Sequence, residues 1–382
     1  MSSRRGRPKI RPTGVELFCG AGGMSLGFEQ AGVTVAAAID NDPIHVLTHK
    51  KNFPHSKTLQ ANLSNATGVD IRKITGIGES QIDILFGGPP CQGFSIGGVR
   101  EAKDPRNQLL FDFARLIGEL NPSYFVVENV GGLLLSYARP FLEGFASRVE
   151  AAGYGIVDIQ ALNAVDFGVP QRRKRTIILG YKTGLCPPYY PVPELIGSNS
   201  LPTVWDAIGD LAVIDCRKEF LKNGVFTGDL GEASWYGRIL RGEEVDPHDR
   251  SWKRRLRENL ANCSETIHKP EIIERFRGTM PGNSDPVSRF YRLLKEGIAP
   301  TLRAGTDFTR GSYTASRPIH PEHPRCITVR EAARLHSFPD WFVFNNTVWH
   351  GYRQVGNAVP PLFARAMANS VVSAWMKTNE QN

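Results

Sequence analysis

The sequence predicts an α/β fold in which a doubly wound, mostly parallel sheet carries a smaller, irregular second domain. Between residues 14 and 182, nearly continuous apolar runs alternate with helical patterns, as expected for strands that helices cover on both faces. After Tyr181 this alternation stops and prolines cluster, which marks the end of the sheet domain. The predicted strands are Val15–Phe18, Val33–Ile39, Ile82–Phe86, Tyr124–Val127, Gly155–Gln160 and Thr176–Gly180.

Helical periodicity completes the division of the chain. The clearest helix is predicted over Asn107–Leu120, and periodicity returns in Thr328–Ser337 and Pro361–Met376. The end of the chain is therefore predicted to rejoin the sheet domain. The expected parts are a basic, disordered tail (1–13), a sheet domain (14–182), a second domain (183–327) and a C-terminal segment (328–382).

The composition is that of a globular protein with a basic surface. Of its 382 residues, 41% are hydrophobic and 22% charged, which excludes collagen-like, coiled-coil and largely disordered chains. No run approaches the roughly 18 apolar residues of a membrane span, and the start of the chain does not resemble a secretory signal, so an intracellular protein is expected. Six cysteines without a Cys-x-x-Cys pair are unlike a zinc site or a disulfide framework. The net charge of +8 favours a polyanionic partner.

A glycine-rich turn follows the first predicted strand. Its pattern Gly20-x-Gly22-Gly23 lacks the spacing of dinucleotide sites, so a tight turn in an unrelated α/β protein remains an alternative. Asp40 ends the second predicted strand, where a carboxylate can accept hydrogen bonds from both hydroxyls of a ribose. The combination predicts a nucleoside cofactor that needs no phosphate site.

A cysteine stands just past the carboxyl end of the third predicted strand, where open α/β sheets bind ligands. Most free cysteines are buried and unreactive, which is the alternative interpretation. Here Gly87 and Gly88 are followed by Pro89 and Pro90, so Cys91 is expected on a stiff loop as a nucleophilic thiolate.

A carboxylate and a run of cations follow the next strands. Glu128 comes directly after an apolar run, which favours a raised pKa and proton donation, although a helix-capping acid is an alternative. Four consecutive cations open the last strand, and alternation points Arg173 and Arg175 the same way.

Taken together and in this order, these stretches resemble the DNA (cytosine-5) methyltransferases. The motifs that carry the resemblance are Phe18-x-Gly-x-Gly-Gly23, Pro89-Pro-Cys-Gln92, Glu128-Asn-Val130, Gln171-Arg-Arg-Lys-Arg175 and Gly356-Asn-Ala-Val359. They span nearly all of residues 14–376 except the middle domain. The resemblance implies a Rossmann-like, S-adenosylmethionine-dependent methyltransferase fold.

The resemblance also implies a set of cofactor-binding residues. Asp40 would bind the ribose, and Asn357 with Ala358 would close the methionine end. This sequence departs from the family at Asn62, where many relatives carry an acid, and at Lys174, which stands between the two arginines. The implied cofactor site comprises Phe18, Ala21, Gly22, Gly23, Asp40, Asn41, Asn62, Pro90, Leu109, Asn357 and Ala358.

In the implied reaction, the thiolate of Cys91 adds to C6 of cytosine, so that C5 can attack the methyl group. Glu128 would hydrogen-bond N3, while Arg173 and Arg175 would hold the O2 side and the loop. The cytosine is out of reach inside a duplex, so it must be flipped out.

Residues 183–327 correspond to the module that selects the target sequence in this family. Arg254 and Arg255 lie in a basic stretch suited to phosphates, and Arg303 lies in a segment that could reach bases, although an ordinary basic surface is the alternative. Gln92 and Ser95 of the cysteine loop complete the predicted DNA contacts. The tail residues Arg4, Arg5 and Arg7 belong to a stretch that looks like an AT-hook, for which a merely solvating tail is the alternative.

The sequence thus predicts an intracellular, DNA-associated DNA (cytosine-5)-methyltransferase that uses S-adenosylmethionine and acts on double-stranded DNA. A tRNA cytosine-5 methyltransferase and a catalytically silent DNA-binding regulator are the alternatives. No metal and no membrane association are expected. A companion restriction endonuclease is left open, and a monomer is expected because one module can read a palindrome in two visits.

Overall fold

A computed structural model of the chain describes residues 11–90, 108–193, 200–251, 259–305 and 317–381. Within these ranges one sheet has the strand order β3-β2-β1-β4-β5-β8-β6, and β7 also pairs with β8. Strands β1 to β5 run parallel to one another, whereas β8 is antiparallel to β5, β6 and β7. The predicted doubly wound, mostly parallel sheet is confirmed. Its strands are β1 (Thr13–Leu17), β2 (Thr34–Asp40), β3 (Lys57–Gln60), β4 (Ile84–Gly87), β5 (Tyr124–Val130), β6 (Tyr154–Ile156), β7 (Gln160–Asn163) and β8 (Lys174–Lys182).

Helices cover both faces of this sheet, because alternate residues of each strand point to opposite sides. On β5, Tyr124 and Val126 pack into one hydrophobic core, whereas Phe125 and Val127 pack into the other. The helices of the sheet domain are α1 (Gly23–Gln30), α2 (Pro43–Asn52), α3 (Gly68–Thr75), α4 (Gln108–Leu120) and α5 (Arg139–Ala151). Those that follow are α6 (Val204–Ile208), α7 (Trp235–Arg241), α8 (Pro270–Gly278), α9 (Val329–Leu335), α10 (Val348–Asn357) and α11 (Pro361–Gln381).

The last helix packs directly against the first. A Cβ atom added at Gly27 of α1 would lie 2.4 Å from Cβ of Ala364 in α11 and 2.4 Å from the carbonyl oxygen of Pro361. Only glycine therefore allows these two helices to approach so closely. The exact division of the chain into domains stays a prediction.

In the described part of residues 183–327, the regular elements are short. Besides α6, α7 and α8 this part has a two-stranded hairpin of β9 (Leu221–Lys222) and β10 (Val225–Phe226). A small core surrounds Phe226, Leu260 and Cys263. Among the described residues, no helix is long and apolar enough to cross a membrane.

The predicted strand Gly155–Gln160 is wrong in detail, because two short strands replace it. Ile156 of β6 pairs with Gly180, and Gln160 of β7 pairs with Ile177. The four residue steps from Ile156 to Gln160 thus face only three residue steps, from Gly180 to Ile177, on β8. This mismatch interrupts the hydrogen-bond ladder as a β-bulge does. The other predicted strands and helices differ from the structure by a few residues at their ends.

Several elements were not predicted, among them β3, α10 and the short elements of the middle of the chain. Strand β3 is a four-residue edge strand whose ends, Lys57 and Gln60, are polar and exposed, so it has no apolar run to recognise. Helix α10 has only a few apolar positions and ends at Asn357.

The strand order reverses at the centre of the sheet. Strand β1 has β2 on one side and β4 on the other, so the chain winds outward in both directions from this point. In open α/β sheets, ligands bind in the crevice at the carboxyl ends of the strands at such a switch point. The loops that follow Leu17 and Gly87 lie at this position.

Candidate active site

The loop after β1 has an unusual backbone conformation. Phe18, Gly20 and Gly22 have φ angles of 58°, 54° and 105°, in the left-handed region that favours glycine. A Cβ atom at Gly20 would meet no atom within 4 Å, so the loop borders open space there. The ring of Phe18 is half-buried and stacks on Phe113 at a centroid distance of 6.4 Å. Ala21 is buried beneath the loop.

The C-terminal segment closes against this loop. A Cβ atom at Gly23 would lie 2.2 Å from the carbonyl oxygen of Val359 and 3.2 Å from Cβ of Ala358. Ala358 is buried, whereas Asn357 is exposed at the end of α10. The structure therefore brings together the glycine loop and the Gly356–Val359 motif, as predicted from two distant stretches of sequence.

The carboxylate of Asp40 lies beside the glycine loop and is held by backbone amides. Its Oδ2 accepts a hydrogen bond of 2.8 Å from the Gly20 amide, and its Oδ1 accepts one of 2.9 Å from the Asp42 amide. Nδ1 of His45 lies 3.4 Å from Oδ1. An ionised carboxylate has about four acceptor positions, so Asp40 can still accept from the hydroxyls of a ribose. Asn41 is exposed beside it.

An ion pair that the sequence analysis missed joins α2 to α10. The Asp42 carboxylate caps α2 by accepting from the Ile44 amide at 2.8 Å, and its other oxygen pairs with Arg353. The neighbouring Gln354 donates to the Thr48 hydroxyl at 2.8 Å. Burial alone would raise the pKa of Asp42, but the charges of His45 and Arg353 and its hydrogen bonds outweigh burial and lower that pKa. Only the folded chain reveals this pairing, because neither residue belongs to a recognisable motif.

The remaining predicted cofactor residues lie around the same edge of the sheet. The amide of Ala61 donates to the carbonyl of Asp40, which brings the next residue, Asn62, to this edge. Asn62 is exposed, and its Oδ1 accepts from the Ser64 amide at 3.1 Å. Leu109 is half-buried in the first turn of α4, and Pro90 is exposed after β4.

A second polar cluster forms where β4 and β5 end and the antiparallel β8 begins. Glu128 lies inside β5, not after it as predicted, and it is 9% exposed. Its Oε1 pairs with Nε of Arg175 at 2.9 Å, and its Oε2 lies 3.0 Å from the position of a Cβ atom on Gly88. Nδ2 of Asn129 donates to the carbonyl oxygen of Pro89 at 3.2 Å. The acid, its arginine and the Pro-Pro loop are therefore held together.

Arg173 and Arg175 have different surroundings. Arg173 lies just before β8 and is buried, and its guanidinium donates to the carbonyls of Leu302, Gly356 and Ala358. Burial, followed by the charge of Arg175, lowers the pKa of Arg173 well below its ordinary value, against the opposing effect of Glu128. Arg173 was expected to hold the O2 side and the loop together with Arg175; its described contacts are with backbone carbonyls, and its catalytic role stays a prediction.

Several predicted site residues lie outside the described residues. They are Cys91, Gln92 and Ser95 of the cysteine loop, Arg4, Arg5 and Arg7 of the tail, and Arg254 and Arg255 of the basic stretch. Arg303 is described and exposed. Their predicted roles stay predictions.

The sheet topology and the two clusters define an α/β protein in which a glycine-rich loop and the ion pair of Glu128 and Arg175 lie at the same edge of the sheet. A sequence model of the family described as C-5 cytosine-specific DNA methylase matches residues 13–373. The chain is 47% identical over 373 residues to the Type II methyltransferase M.XorII of Xanthomonas oryzae, covering 97% of this chain and 87% of that protein. It is 32% identical to the Type II methyltransferase M1.HphI of Haemophilus parahaemolyticus, covering 96% and 88%.

Solved structures agree with these sequence comparisons. A crystal structure of a candidate DNA modification methyltransferase encoded within an E. coli prophage superposes with a TM-score of 0.79 at 31% identity, covering 96% of this chain and 99% of that one. The chain therefore belongs to the C-5 cytosine-specific DNA methylases. The resemblance predicted from the motifs is confirmed.

Proposed function

We propose that this protein transfers a methyl group from S-adenosylmethionine to C5 of a flipped-out cytosine within a specific sequence of double-stranded DNA. The observation that carries the proposal is the pairing of Glu128 with Arg175 beside the Pro89–Pro90 loop, at the strand edge next to the glycine loop. Family membership supports the same reaction. The names of the relatives, Type II methyltransferases, favour DNA over tRNA as the substrate.

The chain's own residues account for activation of the base. The thiolate of Cys91 forms a bond to C6, and the electron pair of the C5–C6 double bond moves toward C5. Glu128 would hydrogen-bond N3 and Arg175 would neutralise charge near O2, so both would stabilise the ring as charge develops. After methyl transfer a base removes the C5 proton, the double bond re-forms and the Cys91 sulfur leaves. Covalent catalysis divides one difficult step into easier ones.

The residues around the glycine loop fit S-adenosylmethionine, which supplies an electrophilic methyl group when bound. A side chain at Gly20 would project into open space, so the backbone there can approach a ligand. The Asp40 carboxylate, oriented by two amides, suits a ribose diol, and the half-buried ring of Phe18 offers an apolar face. Asn357 and Ala358 would close the opposite end of the site, while Asn62, Leu109 and Pro90 would line its rim.

The middle of the chain would read the target. Arg303 is exposed and lies in the segment from residue 300 to 305, whose backbone packs against Gly356. Contacts between a basic protein and the DNA phosphates add to its affinity for DNA. This affinity offsets the few kcal/mol needed to flip a base. Arg254, Arg255 and the tail would contribute to that affinity. The working unit is proposed to be an intracellular monomer, and a companion restriction endonuclease is part of the proposal because the relatives are named Type II methyltransferases.

The decisive assay measures transfer of a radiolabelled methyl group from the cofactor to duplex DNA and, in parallel, to tRNA. Transfer to DNA alone is expected, and bisulfite sequencing of the product would locate the target sequence. Transfer to tRNA alone would favour the other enzyme, and no transfer to either would favour a silent DNA-binding regulator.

The covalent route is tested with Cys91→Ser. This variant is expected to bind DNA and to lose methyl transfer, whereas Cys216→Ser is the matched control because Cys216 is exposed in the middle of the chain. DNA that carries 5-fluorocytosine should trap wild-type protein covalently, since fluorine blocks release of the enzyme. Normal turnover by Cys91→Ser, or the absence of an adduct under conditions that methylate ordinary DNA, would overturn the covalent route.

A further inference from the structure

Two segments with different predicted ligands meet in the interior of the protein. One is the segment 300–305, which is expected to approach DNA, and the other is the segment 356–358, which is expected to close the cofactor site. A Cβ atom at Gly356 would lie 2.4 Å from the amide nitrogen of Ala304 and 2.5 Å from the carbonyl carbon of Arg303. Their backbones are therefore in direct contact.

A single guanidinium joins these two segments. Nη1 of Arg173 donates to the carbonyl of Leu302 at 3.1 Å, and Nη2 donates to the carbonyls of Gly356 and Ala358 at 2.9 Å each. Arg173 is 2% exposed, so these bonds lie in a region with little water. Hydrogen bonds from a charged donor are stronger than those between neutral groups, and losing them leaves buried carbonyls unpaired.

A second series of hydrogen bonds, through Gln171 and His336, also links the two segments. Oε1 of Gln171 accepts from the Leu302 amide at 3.1 Å, and its Nε2 lies 2.8 Å from Nδ1 of His336. Nε2 of His336 lies 2.9 Å from the carbonyl oxygen of Ala358. Because a carbonyl only accepts, Nε2 must carry the proton and Nδ1 must accept from the Gln171 amide. Burial, followed by the charge of Arg173, lowers the pKa of His336 well below its ordinary value. The imidazole is therefore neutral, as this hydrogen-bond pattern requires.

We propose that Arg173 is a positioning residue that couples cofactor binding to DNA binding through the segments 300–305 and 356–358. The inference rests on the proposed function, which assigns these segments to the two ligands. A ligand that orders one segment also orders the other through the shared guanidinium. Binding of the second ligand therefore costs less conformational entropy. Coupling of this kind is reciprocal: DNA tightens cofactor binding by the same factor by which the cofactor tightens DNA binding.

The test compares dissociation constants of S-adenosylhomocysteine, which binds without turnover, in the absence and presence of a duplex that carries the sequence located by bisulfite sequencing. In wild-type protein the duplex is expected to tighten binding by a factor of about 5–150, the usual range for coupled sites. In Arg173→Lys the factor is expected to fall close to one. A lysine ammonium is a compact point charge that cannot span carbonyls on both segments as the planar guanidinium does.

Arg330→Lys is the matched control. Arg330 is also fully buried and also donates to three backbone carbonyls, those of Ala261, Pro339 and Phe342, but it joins other segments. Both variants are expected to lower the midpoint of thermal unfolding, and only Arg173→Lys is expected to lose the coupling factor. Should Arg173→Lys not fold, His336→Gln takes its place, because its amide NH2 can replace imidazole Nε2 as the donor to Ala358, while no acceptor then stands at the position of Nδ1, which faces Gln171.

Three results would overturn the inference. They are a wild-type factor in the Arg173 or His336 variant, an equal loss of the factor in Arg330→Lys, and no effect of DNA on the wild-type protein. The methyl-transfer assay decides the proposed function separately, so an active enzyme without this coupling refutes the inference alone.

Discussion

The ion pair between Asp42 and Arg353 makes a quantitative prediction. It joins Asp42, the N-cap of α2, to α10, four residues before Asn357, so it links the segment that is proposed to close the cofactor site to the stretch that follows Asp40. Asp42→Asn removes the charge but keeps the helix cap, because Asn and Asp are equally good N-caps. Asp42→Ala removes both the charge and the cap.

The expected magnitudes follow from exposure. The side chains of Asp42 and Arg353 are 16% and 28% exposed, so their pair should be near the upper end of the 0.2–1 kcal/mol measured for exposed pairs, about 1 kcal/mol. Loss of the cap costs about 1 kcal/mol more. Asp42→Asn should therefore lower the free energy of unfolding by about 1 kcal/mol, and Asp42→Ala by about 2 kcal/mol. If the pair stabilises the closed cofactor site, affinity for S-adenosylhomocysteine should fall by at most about five-fold, which corresponds to 1 kcal/mol.

Chemical denaturation and calorimetric titration with S-adenosylhomocysteine measure these quantities. A double-mutant cycle with Arg353→Gln isolates the pair, since the effects of Asp42→Asn and Arg353→Gln should not add. Because the pKa of Asp42 is lowered in the folded protein, its contribution is present above the ordinary value of 3.8 and is lost as the pH falls further. Additive effects in the cycle would refute the ion pair, and unchanged affinity in both Asp42 variants would refute its role at the cofactor site.

Two further predictions concern buried acids. Glu128→Gln keeps the shape of the side chain but removes the charge that pairs with Arg175, so kcat should fall by about 10²–10⁴-fold. Binding of S-adenosylhomocysteine should not change, and single-turnover rates near those of the wild type would contradict the assigned role. Burial would raise the pKa of Glu331, but the bidentate Arg325, together with His320, outweighs burial and lowers it to about 2. The stability from this pair is present above the ordinary value of 4.5 and is lost as the pH falls toward about 2. In urea denaturation between pH 5 and 2, the free energy of unfolding should therefore fall less steeply with falling pH in Glu331→Gln than in the wild type. Equal pH dependence in the two proteins would rule the pair out as the cause.

Local sequence patterns predict much of the fold. Buried strands such as β4 and β5 are readable because both of their faces are apolar, and glycines mark the turn after β1 because their φ angles are positive. Elements without such a pattern escaped prediction, namely the polar edge strand β3 and the break between β6 and β7. The break depends on the register against β8, which no local stretch of sequence encodes.

The sequence by itself determined the family and the doubly wound sheet, and it named the residues of the candidate site, because all three depend on motifs of a few adjacent residues at the ends of strands. Only the tertiary structure decided how those motifs are held. Arg173 and Arg175 are two residues apart, yet one contacts three backbone carbonyls and the other pairs with Glu128. The pair of Asp42 and Arg353 likewise joins opposite ends of the chain. A hydrogen bond depends on distance and direction in space, and for partners this far apart in sequence these are set only when the chain has folded.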